Sequence, residues 1–242
     1  MPRAKTTTKS ATAGAIDWRS AARRIDHTLL KPEATSDQIR RLCREALQFG
    51  FASVCVQPCY VSLTSSLLKG SPVKVCTVIG FPSGATLSEC KRFEAADVLR
   101  RGAHELDMVI NIGALKSGEH ALVKADIQAV FDIVHQQKAI LKVIIETALL
   151  SRAEKIKACE LAVAAGAHFV KTSTGFAGGG ATIEDVALMR QVVGNRAQVK
   201  ASGGIRSAKD FGAMVSAGAD RIGASASVAI VRELGAPESP QR

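Results

Sequence analysis

Two lysines lie in unusual surroundings for an ammonium group. Lys171 is part of the apolar segment 169–173 and Lys200 is part of the segment 198–202; Gly203 follows the second segment directly, and Gly175 follows the first after one residue. A lysine in a buried strand loses much of its hydration, and a second ammonium group nearby makes the charged form still less favourable. Both effects lower a lysine pKa and favour a neutral, nucleophilic amine. The alternative is that each aliphatic stem is buried while its ammonium group reaches water at the strand end.

A carboxylate interrupts another apolar segment. Asp107 lies within the segment 106–110, and a buried carboxylate needs a cationic partner, which Lys171 or Lys200 supplies from another strand. We expect Glu105 to lie on the opposite face or not to point inward, depending on the register of the strand. A structural salt bridge would explain Asp107 by itself. A carboxylate beside two lysines is, however, the set of groups that Schiff-base chemistry uses, with the carboxylate as a proton shuttle.

Two glycine-containing turns predict an anion site. Gly203 and Gly204 follow the segment that contains Lys200, and a later apolar segment runs into Gly223, Ala224 and Ser225. Glycines allow the backbone to approach an anion closely, and many barrels bind phosphate after their seventh and eighth strands. Tight turns without a ligand are the alternative. A further glycine-rich segment begins at Gly175 and either closes over a substrate or only connects two elements.

The histidines and cysteines do not predict a metal site. The five histidines lie in unrelated contexts, and the six cysteines form no CxxC pair. We therefore expect no metal, no other cofactor, and reduced thiols in a cytoplasmic protein. Cys55 is expected to be a core thiol. Glu146 is expected to be a second ion-pair partner inside the barrel, with a catalytic role as the less specific alternative.

A repeating pattern of strand and helix must position these residues. Short β-branched segments alternate with helical periodicity over nearly the whole chain. Eight such units in 242 residues are typical of a single-domain (β/α)₈ TIM barrel, in which the strand-to-helix loops open on one face. An open doubly wound sheet is the alternative, but the first predicted strand is not followed by the GxGxxG turn of a dinucleotide site. The expected strands are 24–28, 53–57, 73–79, 105–110, 141–146, 168–172, 198–201 and 221–223, and the expected helices are 35–49, 60–69, 87–101, 119–138, 152–165, 182–193, 207–217 and 225–234.

Composition limits the possible partners. Hydrophobic residues make up 47% of the chain, and no apolar stretch approaches the length of about 18 residues that a membrane span requires. The net charge is +10, yet aromatic residues are only 4%, so a small anionic substrate fits better than nucleic acid. We expect a basic, disordered extension over residues 1–17, a barrel domain over 18–234 and a tail over 235–242. An organelle transit peptide is the alternative for the extension.

Taken together, the motifs resemble those of the deoxyribose-phosphate aldolase family. The resemblance covers residues 25–231, and Lys-Thr-Ser-Thr-Gly followed later by Lys-x-x-Gly-Gly-Ile-Arg is a specific combination. It implies a (β/α)₈ barrel and a class I, metal-independent aldolase that reversibly cleaves 2-deoxy-D-ribose 5-phosphate to D-glyceraldehyde 3-phosphate and acetaldehyde. The matching segments are Asp26 to Leu30, Glu105 to Asn111, Lys142 to Thr147, Val170 to Gly175, Val199 to Arg206 and Gly223 to Ser225.

The resemblance also implies roles for individual residues. Lys171 matches the Schiff-base lysine, Lys200 the second lysine that keeps it unprotonated, and Asp107 the carboxylate that relays protons. The residues expected to contact the phosphate, the substrate hydroxyls or ordered water are Asp26, Thr28, Thr174, Gly175, Gly203, Gly204, Gly223 and Ser225. Phe176 and Ala226 stand where some members carry a lysine and a serine, so phosphate binding must depend more on backbone groups.

Two other functions compete with this interpretation. One is a different Schiff-base or phosphate-binding barrel enzyme, such as an aldolase with another donor. The other is a noncatalytic basic barrel that binds nucleic acid through its N-terminal residues. By base rate, we expect a homo-oligomer, most simply a homodimer.

Overall fold

The computed structural model describes residues 16–238, which contain a closed barrel of eight parallel strands in sequence order. Each strand pairs with the next one along the chain, and β8 also pairs with β1. The barrel predicted from the strand–helix pattern is therefore confirmed, and the open sheet is excluded. The strands are β1 Ile25–Leu29, β2 Ser53–Val56, β3 Lys74–Ile79, β4 Glu105–Val109, β5 Ile140–Ile144, β6 Phe169–Lys171, β7 Gln198–Ser202 and β8 Arg221–Ala224.

Helices surround the barrel and connect its strands. Local signals set several of their ends: Thr35 and Gln38 form a capping box at the start of α2, and Gly50 ends that helix in a left-handed conformation with φ of +69°. The helices are α1 Trp18–Ala22, α2 Ser36–Phe49, α3 Val61–Leu68, α4 Ser88–Arg100, α5 Ile112–Lys116, α6 His120–Gln136, α7 Arg152–Ala164, α8 Ile183–Val193, α9 Ala208–Ser216 and α10 Ser227–Glu233.

Two of these helices were not expected from the sequence. Both α1 and α5 have five residues. Such a helix has little more than one turn, so it cannot show the repeated apolar spacing by which longer helices are recognised. The expectations for residues 1–15 and 239–242 lie outside the described residues. Among the residues described, no helix combines the length and the apolar character needed to cross a bilayer.

The strands separate an apolar layer from a polar barrel interior. In β4, Leu106 and Met108 belong to the large apolar core beneath the helices, whereas Glu105 and Asp107 are buried on the other face. Side chains in a strand alternate with a period of two, so Glu105 and Asp107 must share a face. The expectation that Glu105 would lie opposite Asp107 or outside the interior is wrong for this reason.

A loop glycine supports the end of β4. Gly84 has φ of +69°, the same as Gly50, but a Cβ at Gly84 would lie 1.8 Å from the Ile110 carbonyl oxygen. At Gly50 a Cβ would meet no atom within 4 Å. Close approach of this loop to the residue after β4 therefore requires glycine.

Replacing Gly84 by Ala should destabilise the protein more than replacing Gly50 by Ala. Each alanine must adopt a left-handed conformation at a cost of about 1 kcal/mol, and only Gly84→Ala adds a backbone clash. We expect Gly84→Ala to lower the free energy of unfolding by about 1–3 kcal/mol more than Gly50→Ala, as measured by urea denaturation. Equal losses would show that the Ile110 backbone moves aside without cost.

Candidate active site

Lys171 ends β6 and reaches a cavity at the carboxyl end of the barrel. Its side chain is 3% exposed, and its Nζ lies 2.8 Å from Oδ2 of Asp107. Lys200 is its register partner on β7, and the Lys200 Nζ lies 2.7 Å from the same oxygen. The three residues predicted from the sequence to do chemistry therefore meet at Asp107, which both lysines contact, and both ammonium groups are withdrawn from solvent. The alternative in which each lysine extends its ammonium group into water is excluded.

Asp107 is the centre of this arrangement. Burial raises its pKa, but Lys142, Lys171 and Lys200 outweigh that effect and hold the pKa well below its usual range. One oxygen, Oδ2, faces Lys171 and Lys200, while Oδ1 lies 2.8 Å from Lys142 Nζ and 3.3 Å from Cys76 Sγ. The two carboxylate oxygens thus have different partners, which fixes the orientation of the side chain.

Lys142 is a third buried lysine that the sequence analysis did not single out. It lies on β5 with its side chain fully buried, 2.7 Å from Glu105 Oε2 and 3.8 Å from Asp26 Oδ2. Burial opposes its charge, but Asp107, Cys76, Glu105 and Asp26 raise its pKa well above the usual value. The signal was present, because Lys142 also interrupts an apolar segment, as Lys171 and Lys200 do.

Arg221 completes the charged groups of the interior. Its guanidinium lies 2.6 Å from Asp26 Oδ1 and 3.1 Å from Glu105 Oε2. Asp26 also accepts a hydrogen bond from Ser53 and lies 2.5 Å from Lys200 Nζ. Asp26 is thus fully buried within this network and is not one of the residues that line the cavity.

The cavity has a volume of about 380 Å³ and collects most of the predicted binding residues. Its wall includes the Gly203–Gly204 turn, in which both residues have positive φ values of 88° and 80°. Predicted residues found in the wall, together with Lys171, are Thr28, Thr174, Gly175, Gly203, Gly204, Gly223 and Ser225. Lys31 and Arg206 also line the cavity and are exposed; the sequence analysis did not propose them as ligands.

Glu146 has a role other than the one expected. Its side chain is buried, but within residues 16–238 no cation lies within 4.0 Å of its carboxylate. It instead accepts hydrogen bonds from the backbone N–H of Thr174, at 3.1 Å, and from the Thr174 hydroxyl. The prediction of a second barrel ion pair is wrong. Glu146 follows the end of β5 and Thr174 lies in the loop after β6. The hydrogen bonds between them therefore hold that loop against the end of the neighbouring strand.

Two groups of three side chains bring possible metal ligands together among the described residues. They are Cys55, Cys76 and Asp107, and Asp26, Cys76 and Glu105. In each group the carboxylates already contact ammonium or guanidinium groups, so a divalent cation would face several positive charges. The chemistry of these donors is better suited to ion pairs than to a metal.

A larger groove of about 760 Å³ is lined by residues 58–59, by the segment 80–86 that follows β3, and by α4. None of its lining residues belongs to the buried charged network, and it includes the exposed Phe93 and Cys90. The smaller cavity is therefore the candidate active site, because it alone of the two reaches a buried amine.

These features define a class: a (β/α)₈-barrel enzyme in which a buried lysine presents its amine to a cavity with glycine-rich walls. Sequence comparison then identifies the family within this class. The chain belongs to the DeoC/LacD family of aldolases, whose family model matches residues 20–234.

Individual relatives agree with this assignment. The chain is 63% identical over 214 residues to a deoxyribose-phosphate aldolase of Halalkalibacterium halodurans, covering 88% of this chain and 95% of that protein. A crystal structure of a putative deoxyribose-phosphate aldolase from Coccidioides immitis is 47% identical, with a TM-score of 0.88 over 92% of this chain and 88% of that one. The deoxyribose phosphate aldolase of Aeropyrum pernix, described as tetrameric, is 37% identical with a TM-score of 0.84, covering 89% and 91% of the two chains.

Replacing Asp107 by Asn should destabilise the protein severely. The amide has nearly the same shape, but it removes the negative charge that Lys142, Lys171 and Lys200 share. Buried charges left without a partner cost about 3–5 kcal/mol, which should appear as a loss of free energy of unfolding at neutral pH. Asp97→Asn is the matched control, since Asp97 pairs only with arginines at the surface, and its loss should leave stability nearly unchanged. Equal stability of the two variants would contradict this account.

Proposed function

We propose that the protein is a class I aldolase that reversibly cleaves 2-deoxy-D-ribose 5-phosphate into D-glyceraldehyde 3-phosphate and acetaldehyde through a Schiff base at Lys171. One observation carries the proposal. Of the three lysines inside the barrel, only Lys171 lines the cavity that also contains the Gly203–Gly204 turn. The names of the close relatives support the choice of substrate.

The cavity fits a phosphorylated sugar whose phosphate lies at the glycine turns and whose aldehyde lies at Lys171. The phosphate would bind the backbone N–H groups of the glycine turns and the Ser225 hydroxyl, with Arg206 and Lys31 at the mouth. The aldehyde carbon would then lie at Lys171. Binding of the remote phosphate orients the reacting carbon and so contributes to the rate.

The reaction begins when the free amine of Lys171 attacks the C1 aldehyde carbon. Loss of water from the carbinolamine gives an iminium ion. The C2–C3 bond then breaks, its electron pair enters the iminium to form an enamine, and the C3 hydroxyl loses its proton as C3 becomes an aldehyde. Protonation of the enamine at C2 and addition of water release acetaldehyde and restore the amine.

Proton transfer is assigned to Asp107 acting through a water molecule. While three ammonium groups face Asp107, its carboxylate is a weak base, as the lowered pKa shows. Once Lys171 is a neutral amine, only Lys142 and Lys200 still oppose proton uptake at Asp107. Thr28 and Thr174 are proposed to contact substrate hydroxyls or water. Asp26 is enclosed by the network, so its position supports a role in holding Lys200 rather than in contacting substrate.

A trapping experiment tests the covalent step. Incubation with acetaldehyde and borohydride should reduce the iminium and leave an ethyl group on Lys171, which peptide mapping by mass spectrometry would locate. Lys171→Met should remove both the label and the aldolase activity. Lys116→Met is the control, since Lys116 lies on the surface in contact with Glu154, and it should retain both. A label on another lysine would refute the assignment of Lys171.

The role of Lys200 predicts a change in pH dependence. Lys200→Leu removes the ammonium group that shares the Asp107 oxygen with Lys171, so Lys171 should retain its proton more strongly. The activity profile should shift to higher pH. Lys200→Arg keeps the charge and should move the profile less, whereas an unchanged profile in Lys200→Leu would refute the coupling.

We also propose a cytoplasmic homo-oligomer. All six cysteines are free, which suits a reducing compartment. Leu87 and Phe93, at the start of α4 and within it, are 70% and 76% exposed, which favours burial against another subunit. Sedimentation velocity should give at least twice the mass of one chain, and a monomer at micromolar concentration would contradict this.

A further inference from the structure

Glu146 adopts a backbone conformation that a residue with a side chain rarely takes. Its φ is +55°, in the left-handed region, and among residues 16–238 the only other non-glycine residue with a positive φ is Lys138. Lys138 is exposed in the turn after α6, whereas Glu146 is buried just after β5. Strained residues of this kind cluster at functional sites. The conformation of Glu146 therefore points to a function for its side chain.

The carboxylate of Glu146 is devoted to a single residue. A buried carboxylate without a cation is unfavourable unless hydrogen bonds compensate it. Here both hydrogen bonds come from Thr174, whose backbone N–H and hydroxyl donate to Oε2 of Glu146. The other oxygen, Oε1, is buried and has no hydrogen-bond partner within the described part of the chain. The contacts of this carboxylate thus act on Thr174.

These contacts fix the direction of the Thr174 hydroxyl. A hydroxyl has one hydrogen to donate and two lone pairs that accept. The hydrogen is donated to Glu146, because an ionised carboxylate has none to give. The backbone N–H of Phe176 donates to Oγ1 of Thr174 at 3.0 Å and occupies one lone pair. One lone pair remains, so the Thr174 hydroxyl can accept a further hydrogen bond but cannot donate one.

The remaining lone pair of Thr174 selects one group of the substrate. Thr174 lines the same cavity as Lys171 and the Gly203–Gly204 turn. The phosphate dianion and the aldehyde of the substrate have no hydrogen to donate. In the reaction proposed above, the C3 hydroxyl passes its proton towards Asp107. The C4 hydroxyl is therefore the donor that matches Thr174.

Building on the proposed function, we infer that Glu146 is a positioning residue that makes the enzyme select acceptor aldehydes with a hydroxyl beside the aldehyde carbon. Glu146 acts through Thr174, whose hydroxyl it holds as a hydrogen-bond acceptor. In the direction of synthesis, the C4 hydroxyl of the product is the C2 hydroxyl of D-glyceraldehyde 3-phosphate. An acceptor without that hydroxyl leaves the lone pair of Thr174 unpaired, which lowers the rate with that acceptor.

The ratio of kcat/KM for two acceptors tests this inference. With acetaldehyde as the donor, D-glyceraldehyde 3-phosphate is compared with 3-oxopropyl phosphate, which has the same chain length and phosphate but lacks the C2 hydroxyl. We expect the wild type to prefer D-glyceraldehyde 3-phosphate by at least about tenfold, and Glu146→Ala to lower that preference by about five- to tenfold. Glu146→Gln keeps an oxygen that accepts from Thr174 and should retain most of the preference.

A matched surface variant and two Thr174 variants serve as controls. Glu160→Ala removes a glutamate of α7 that pairs with Lys157 at the surface, and it should leave the preference unchanged. Thr174→Val should lower the preference as much as Glu146→Ala, whereas Thr174→Ser should retain it. In the double variant Glu146→Ala/Thr174→Val, the preference should equal that of Thr174→Val alone. A residue that only supports the loop would lower both rates together and leave their ratio unchanged.

Folding and function are separated from the inference by further measurements. If Glu146→Ala does not fold, Glu146→Asn takes its place, because asparagine tolerates the left-handed backbone but is one carbon shorter and should lower the preference similarly. An unchanged ratio in the folded variant, or equal rates of the wild type with both acceptors, would overturn the inference. If the wild type forms no product with either acceptor and borohydride with acetaldehyde leaves Lys171 unlabelled, the proposed function fails instead.

Discussion

The burial of charge inside the barrel is the constraint on which the rest of the structure depends. A barrel interior is usually filled by branched apolar side chains, whereas this one holds charged side chains from β1, β4, β5, β6, β7 and β8. Each charge loses its hydration and is tolerated only where opposite charges lie within contact distance. The parallel register provides those contacts, since it sets Asp107 beside Lys142 and Lys171 beside Lys200.

The same constraint links stability to chemistry. Asp107 holds the barrel interior together through Lys142 and Lys200, and it also anchors the amine that faces the cavity. Apolar packing lies outside the strands, beneath the helices, so the interior is free to carry polar groups. The outer layer thus stabilises the fold through apolar packing, and the inner layer adds ion pairs that serve both stability and the site.

Local sequence patterns determined much of this in advance. Alternation of apolar strands with amphipathic helices predicts eight units, and glycines after the last strands predict the turns around the cavity. Lys171, Lys200 and Asp107 could be identified because each is a charged residue within an apolar segment. These patterns depend only on residues that are close together in the sequence, and a run of apolar residues indicates that a strand is buried.

Other features depended on closure of the barrel. The sequence by itself determined the strands, their order and the presence of buried lysines. It did not determine that Lys142, Glu105 and Arg221 join the charged network of the interior, or that Glu146 holds Thr174 instead of pairing with a cation. Nor did it decide which buried lysine reaches the cavity. Those outcomes follow from contacts between residues far apart in the chain, such as Asp26 and Arg221, because the electrostatic energy of a buried charge depends on distances that only the tertiary structure sets.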